Sequence, residues 1–245
     1  MNSHSNNEID SSRRAKSHLS LAAVTQAGSE SERQQAIAAL CERFWVPVYF
    51  FVRQSGNAAE RAGDLTHRFL AGIAARLQAG PEPMSEGFRT FVQHSLSAFL
   101  ENPASVGAAE FSRPLAPPAP PEEIERRFLA GFADPMTPVQ AMQRGFALEL
   151  LARALARLRS EAEHAGRGEL FEVVRHWLSR EPGEDDYRKL AQQVGSSPLA
   201  MVVAVKRLRQ RFQELVDEEL AQSVGDAAEV PHERQTMLSM VVPDP

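Results

Sequence analysis

Residues 187–215 hold the densest set of side chains able to do chemistry. Arg188, Lys189, Lys206, Arg207, Arg209 and Arg211 stand against one acid, Glu214, a local charge of +5 in a 245-residue chain of net charge −5. Clustered guanidinium and ammonium groups at helical spacing suit contact with phosphates. Acid borders the cluster on both sides, with Glu181, Glu184, Asp185 and Asp186 before it and Asp217, Glu218 and Glu219 after it. No other set of residues is comparable. The seven His residues, at 4, 18, 67, 94, 164, 176 and 232, show no metal-ligand spacing. One cysteine, Cys41, excludes an internal disulfide framework and a multi-cysteine metal site, and suits a reducing, cytoplasmic setting. There is no Gly-rich phosphate loop, nucleophile elbow or His-Glu-x-x-His. The residues therefore speak against an enzyme and give no reason to expect a metal or a cofactor.

The elements that would carry the basic cluster can be read from its punctuation. Residues 187–194 make a short helix with Leu190, Ala191 and Val194 inward. Gly195 supplies the left-handed residue that ends it. Ser197 is an N-cap and Pro198 a first helical residue for the next helix, whose buried stripe is Met201, Val205, Leu208, Phe212 and Leu215. A small residue at the crossing and a glycine four positions later are the grammar of a helix-turn-helix. The second helix would present Lys206, Arg207, Arg209 and Arg211 to DNA. Ser197, Ala200, Val202, Val203 and Gln210 complete the candidate DNA-contacting set. The alternative is an ordinary helical hairpin with a solvated basic face.

The rest of the chain reads as helices. The fold class is all-α, with two small helical domains joined by a Pro-rich linker and the second ending in the helix-turn-helix. The expected boundaries are a polar tail at 1–18, a first domain at 19–102, a linker at 103–138, a second domain at 139–225 and a tail at 226–245. Ser29 and Glu32 have capping-box spacing, and Asn57 with Glu60 reads as a second N-cap arrangement. Pro47 marks a boundary or kink. The run 48–52, strand-like by propensity, reads as buried helix because no partner strand lies nearby. The next helix buries Ala62, Leu65, Phe69, Ile73 and Leu77, leaving Asp64, His67, Arg68 and Ala71 on other faces. A third carries Phe88, Phe91, Val92, Ser95 and Phe99. Six Pro residues within 102–121 suit an extended linker, with a short helix at about 122–130. A long helix at 139–164 and a shorter one at 169–179 follow. The polar start has no apolar signal core, and no uninterrupted apolar run reaches membrane-spanning length.

In this order the segments resemble bacterial RNA polymerase sigma factors of the extracytoplasmic-function branch, above all a subgroup seen in planctomycetes and myxobacteria. The likeness rests on Leu40-Cys41-Glu42-Arg43-Phe44-Trp45-Val46-Pro47-Val48-Tyr49 and on Asp64-Leu65-Thr66-His67-Arg68-Phe69, which is similar to an Asp-Leu-Thr-Gln-x-Phe signature. It continues through Gly87-Phe88-Arg89-Thr90-Phe91, then Leu151-Ala152-Arg153-Ala154-Leu155-Ala156-Arg157-Leu158. It ends with a segment that runs from Tyr187-Arg188-Lys189-Leu190-Ala191 through Val205-Lys206-Arg207-Leu208-Arg209 to Glu219-Leu220-Ala221-Gln222-Ser223-Val224. The resemblance implies a first domain that holds core RNA polymerase and reads and melts the minus-ten promoter element. It implies a second domain that reads the minus-thirty-five element. Asp64, His67 and Arg68 would lie at the polymerase contact. Regulators of two kinds are implied at family level, an anti-sigma factor or a Ser/Thr kinase, in this subgroup often a membrane kinase; from its own sequence the chain is expected to make no membrane contact.

The chain also departs from that pattern. His67 stands where the family usually has Gln, Arg68 where it has an acid, and Val202 where the subgroup often has Lys. Between Leu100 and Arg113 there is no Lys or Arg, where the family tends to be basic. Two other functions therefore compete with a sigma factor. One is a diverged paralogue acting as a protein-binding adaptor or competitor without promoter opening. The other is a helix-turn-helix regulator that does not itself initiate transcription.

Overall fold

The computed structural model describes residues 24, 27–80, 87–103, 115–130, 136–221 and 234–235. All regular structure among them is helical: α1 (Glu30–Gln54), α2 (Ala59–Ala79), α3 (Gly87–Glu101), α4 (Pro121–Leu129), α5 (Pro138–His164), α6 (Gly168–Val174), α7 (Glu184–Gln193) and α8 (Pro198–Ala221), with a 3-10 turn at Arg175–Trp177. The expected all-α class holds. Contacts divide the chain into two compact units, and the division falls inside α5, between Glu149 and Leu150. The expected tails, save residues 234–235, and residues 104–114 and 131–135 of the expected linker lie outside the described residues.

In the first unit α1 is the central element. Its start follows the predicted capping: the Ser29 hydroxyl accepts from the Glu32 N–H at 3.2 Å, and the Glu32 carboxylate accepts from the Gly28 N–H at 2.9 Å. Residues 43–52 are all buried, so this part of α1 is covered on every side rather than amphipathic. Phe44 packs edge-on to Phe88 of α3 at 4.9 Å and against Phe146 of α5, while Phe50 meets Phe128 of α4 at 5.3 Å. The run 48–52 is buried helix, as read. Pro47 is not a boundary, because the helix continues through it. Gly145 explains the close fit there: a Cβ on it would meet the Pro47 Cα at 3.0 Å and the Phe50 ring at 3.2 Å. By length and composition α1 could cross a membrane, but most of its apolar window is buried within the protein.

The second helix buries the expected stripe, with Thr66, Leu70, Gly72 and Ala74 beside it. Its start differs from expectation. The N-cap position is Ala58, and the Asn57 side chain instead donates to the Val52 carbonyl at 3.0 Å, closing the turn after α1. Leu96, absent from the predicted α3 stripe, is fully buried.

The stretch expected as a linker contains α4, which packs on α1. Pro121 begins it, Glu122 and Glu123 occupy its first turn, and Arg126 and Arg127 its last, an arrangement that complements the helix dipole. Ile124 and Phe128 are buried. The Glu125 carboxylate takes the Tyr49 hydroxyl at 2.6 Å and two bonds from Arg53 at 2.6 and 3.0 Å. Pro120 and Pro121 stand at the entry of this nine-residue helix and set its start, so they do not forbid the helix that follows.

In the second unit α5 and α8 are joined by ions as well as apolar packing. Buried Glu219 is held by Arg153 at 3.3 Å and Arg157 at 3.0 Å, and Arg157 also binds Glu218 at 2.6 Å. Leu150, Ala154 and Leu158 of α5 are buried, as are Leu215, Val216 and Leu220 of α8.

Candidate nucleic-acid interface

α7 and α8 cross over one apolar cluster. Leu190 and Ala191 from α7, Met201 and Val205 from α8, and Val174 from α6 are buried together, with Val194 and Leu208 against them. Ala191 lets the helices approach, as its type suggested. The turn has the predicted chemistry. Gly195 sits at φ +63°, and the Ser196 N–H reaches back to the Ala191 carbonyl at 2.8 Å, a Schellman stop. The Ser197 hydroxyl accepts from the Ala200 N–H at 3.2 Å and caps α8. One detail differs: α7 begins at Glu184, three residues earlier than expected, so Glu184, Asp185 and Asp186 form its first turn. The Asp186 carboxylate accepts from the Gly183 N–H at 3.0 Å.

The candidate DNA-contacting residues divide by flank. On a helix, Ala200, Val203, Arg207 and Arg211 fall on one side and Val202, Lys206 and Arg209 on the other, with Gln210 between them. Ser197, Ala200, Val202, Val203, Lys206, Arg207 and Gln210 are exposed, while Arg209 and Arg211 are half-buried. Charge pairing separates them further. Arg211 is bound by Glu161 at 2.8 Å, Glu214 at 2.9 Å and Glu218 at 3.3 Å, and the Glu161 hydrogen bond is the main cause that raises its pKa. Arg188 is bound by Glu184 at 2.7 Å and Asp185 at 2.6 Å. Arg209 has a loose partner, Glu181 at 3.8 Å, and Gln210 donates to Glu214 at 3.2 Å. Lys189, Lys206 and Arg207 have no ion pair among the described residues. The predicted +5 cluster therefore presents about half of its cations free of acid.

Sequence reasoning missed the apolar part of this surface. Leu199 is 73% exposed, Val203 42% and Val202 37%, three of the four large exposed apolar side chains among the described residues. Leu199 could have been found, since its helical angle lies opposite Met201 and Val205. Beside them, a groove of about 680 Å³ runs between α8, α6 and the end of α5.

The three residues expected at a polymerase contact are also divided. Asp64 and His67 are exposed and line a groove of about 770 Å³ with Trp45, Tyr49, Glu122 and Leu129. Arg68 is exposed but turned to the chain itself: it donates to the Pro103 carbonyl at 2.9 Å and lies 6.0 Å from the Phe99 ring. No His/Cys/Asp/Glu cluster able to hold a metal occurs among the described residues. Cys41 is buried, its thiol pushed up to about 12 by loss of water, which removes it as a nucleophile. Comparison with protein-family models, curated proteins and solved structures gives no match to this chain.

Proposed function

We propose that the protein is a two-domain transcription initiation factor of the sigma type, in which α7 and α8 form a helix-turn-helix that reads the minus-thirty-five promoter element. The supporting observation is the α7–α8 pair itself. A small residue lies at the crossing, a left-handed Gly195 ends the first helix, Ser197 caps the second, and Lys206 and Arg207 stand exposed on it. Phosphate-binding cations beside a helix placed for the major groove are the recurring parts of such readers. In this reading the first domain supplies the contact with core RNA polymerase in the cytoplasm, through Asp64 and His67, and an anti-sigma factor or a Ser/Thr kinase regulates it. The test is run-off transcription with purified core polymerase on a panel of candidate promoters. Promoter-dependent transcripts that need both the protein and an intact α8 are expected. Saturable polymerase binding without any promoter-dependent transcript rules the reading out.

A second reading, a sigma-like adaptor or competitor that works through protein contacts, is favoured by one observation. The start of α8 exposes Leu199, Val202 and Val203, where a DNA reader usually presents polar side chains. It predicts polymerase binding that inhibits transcription directed by another factor, with no transcripts of its own.

A further inference from the structure

We infer that the groove between α8, α6 and the end of α5 is a docking site for an acidic amphipathic helix of a partner protein. The floor is apolar, built from Leu158, Ala162, Leu170, Phe171 and Leu208. The outer wall is made by Leu199 and Val203, which water covers at 73% and 42% of their surface. Neighbouring exposed apolar side chains beside a concave apolar floor mark an interaction site rather than a solvated face.

The charge of the rim selects the occupant. Four ionisable side chains line the groove: Glu161, Arg167, Arg207 and Arg211. Glu161 and Arg211 bind each other through two hydrogen bonds at 2.8 and 2.9 Å, so they cancel. Arg167 and Arg207 are exposed and have no ion pair among the described residues. The groove therefore offers two unpaired cations above an apolar floor. The complement is a helix with apolar residues at i, i+3, i+4 and i+7 and Asp or Glu beside them. A nucleic acid fits less well, because a phosphate backbone needs cations along its length and gains nothing from a concave apolar floor. DNA is nevertheless the competing occupant, since Ser197, Ala200, Val203, Arg207 and Arg211 line this groove and also belong to the candidate DNA-contacting set.

The docking site does not depend on promoter reading and can be tested on the full chain without polymerase. The probe is a display library of helical peptides with four fixed apolar positions at i, i+3, i+4 and i+7 and all other positions randomised. Selected clones are measured by fluorescence anisotropy, and circular dichroism verifies that each protein variant is folded. Enriched clones should carry Asp or Glu and should lose about tenfold or more in affinity on Val203→Glu and on Arg207→Glu. Arg207→Glu should in turn bind a clone whose acids are replaced by Lys better than the original protein does. The inference is overturned if no clone is enriched, if enriched clones are neutral or basic, or if neither variant changes their binding. It is also overturned if the groove variants abolish binding of a random-sequence duplex DNA while no peptide binds.

Discussion

Glu125 shows how a single side chain fastens one helix to another. Its carboxyl is held below the ordinary carboxylate range, first by the Arg53 hydrogen bonds, against the opposing effect of burial, with the Tyr49 hydroxyl helping. The folded value is depressed, so the stabilisation is complete above the unfolded carboxylate range and is lost as pH falls through the folded value. Glu125→Gln should therefore destabilise the protein by about 1–2 kcal/mol at neutral pH. Urea unfolding repeated at falling pH should show the gap between variant and parent closing on the acid side. An unchanged gap would remove the carboxylate from the account. Cys41 gives a prediction of opposite character. Buried, with its thiol raised to about 12 and its sulfur 3.8 Å from the Leu70 carbonyl, it should react with a thiol reagent only as fast as the protein unfolds. Immediate labelling of the native protein would contradict this. Its type and apolar surroundings pointed to burial already in the sequence. The partners of Glu125 were not legible, because Tyr49 and Arg53 lie more than seventy positions away.

At the scale of elements, local chemistry and tertiary contact divide what sequence can foretell. The α7–α8 turn was legible residue by residue because its devices are local: a left-handed glycine, a serine cap and a proline at the first helical position. Gly195→Ala tests the first of these. Nothing lies within 4 Å of where its Cβ would stand, so the cost is conformational alone, about 1–2 kcal/mol for an L-residue held at positive φ. Thermal unfolding should show that loss without a change in helix content. No change in stability would mean that the turn does not need the left-handed residue. α4 was legible only in part. A short helix at about 122–130 could be read, but its proline-rich setting reads as spacer, and burial of Ile124 and Phe128 and the grip of Arg53 on Glu125 make it part of the first unit. Asn57 was misread for a related reason. Its side-chain amide donates to the Val52 carbonyl and closes the turn after α1, and the N-cap position falls to Ala58, which has no side chain to cap with.

Across the whole molecule, the contrast between a chain of −5 and a segment of +5 becomes a matter of which cations are free. Counting residues in a window cannot see that Arg211 is neutralised by Glu161, fifty positions away, or that Arg188 meets the acids of its own first helical turn. Pairing leaves Lys189, Lys206 and Arg207, with Arg209 loosely held. If this surface binds DNA, each free cation that meets a phosphate adds about 0.9 to the slope of log affinity against log salt. The protein should then show a slope of about −3, well short of the roughly −5 that six independent cations would give. Arg207→Ala and Lys206→Ala should each lower its magnitude by about one unit. Arg188→Ala should leave it almost unchanged, because removing a cation already neutralised by two carboxylates releases no counterion. Anisotropy titrations of a promoter duplex across a salt series separate these outcomes. An Arg188→Ala effect as large as that of Arg207→Ala would show that the ion pairs open when DNA arrives and that all six cations count after all.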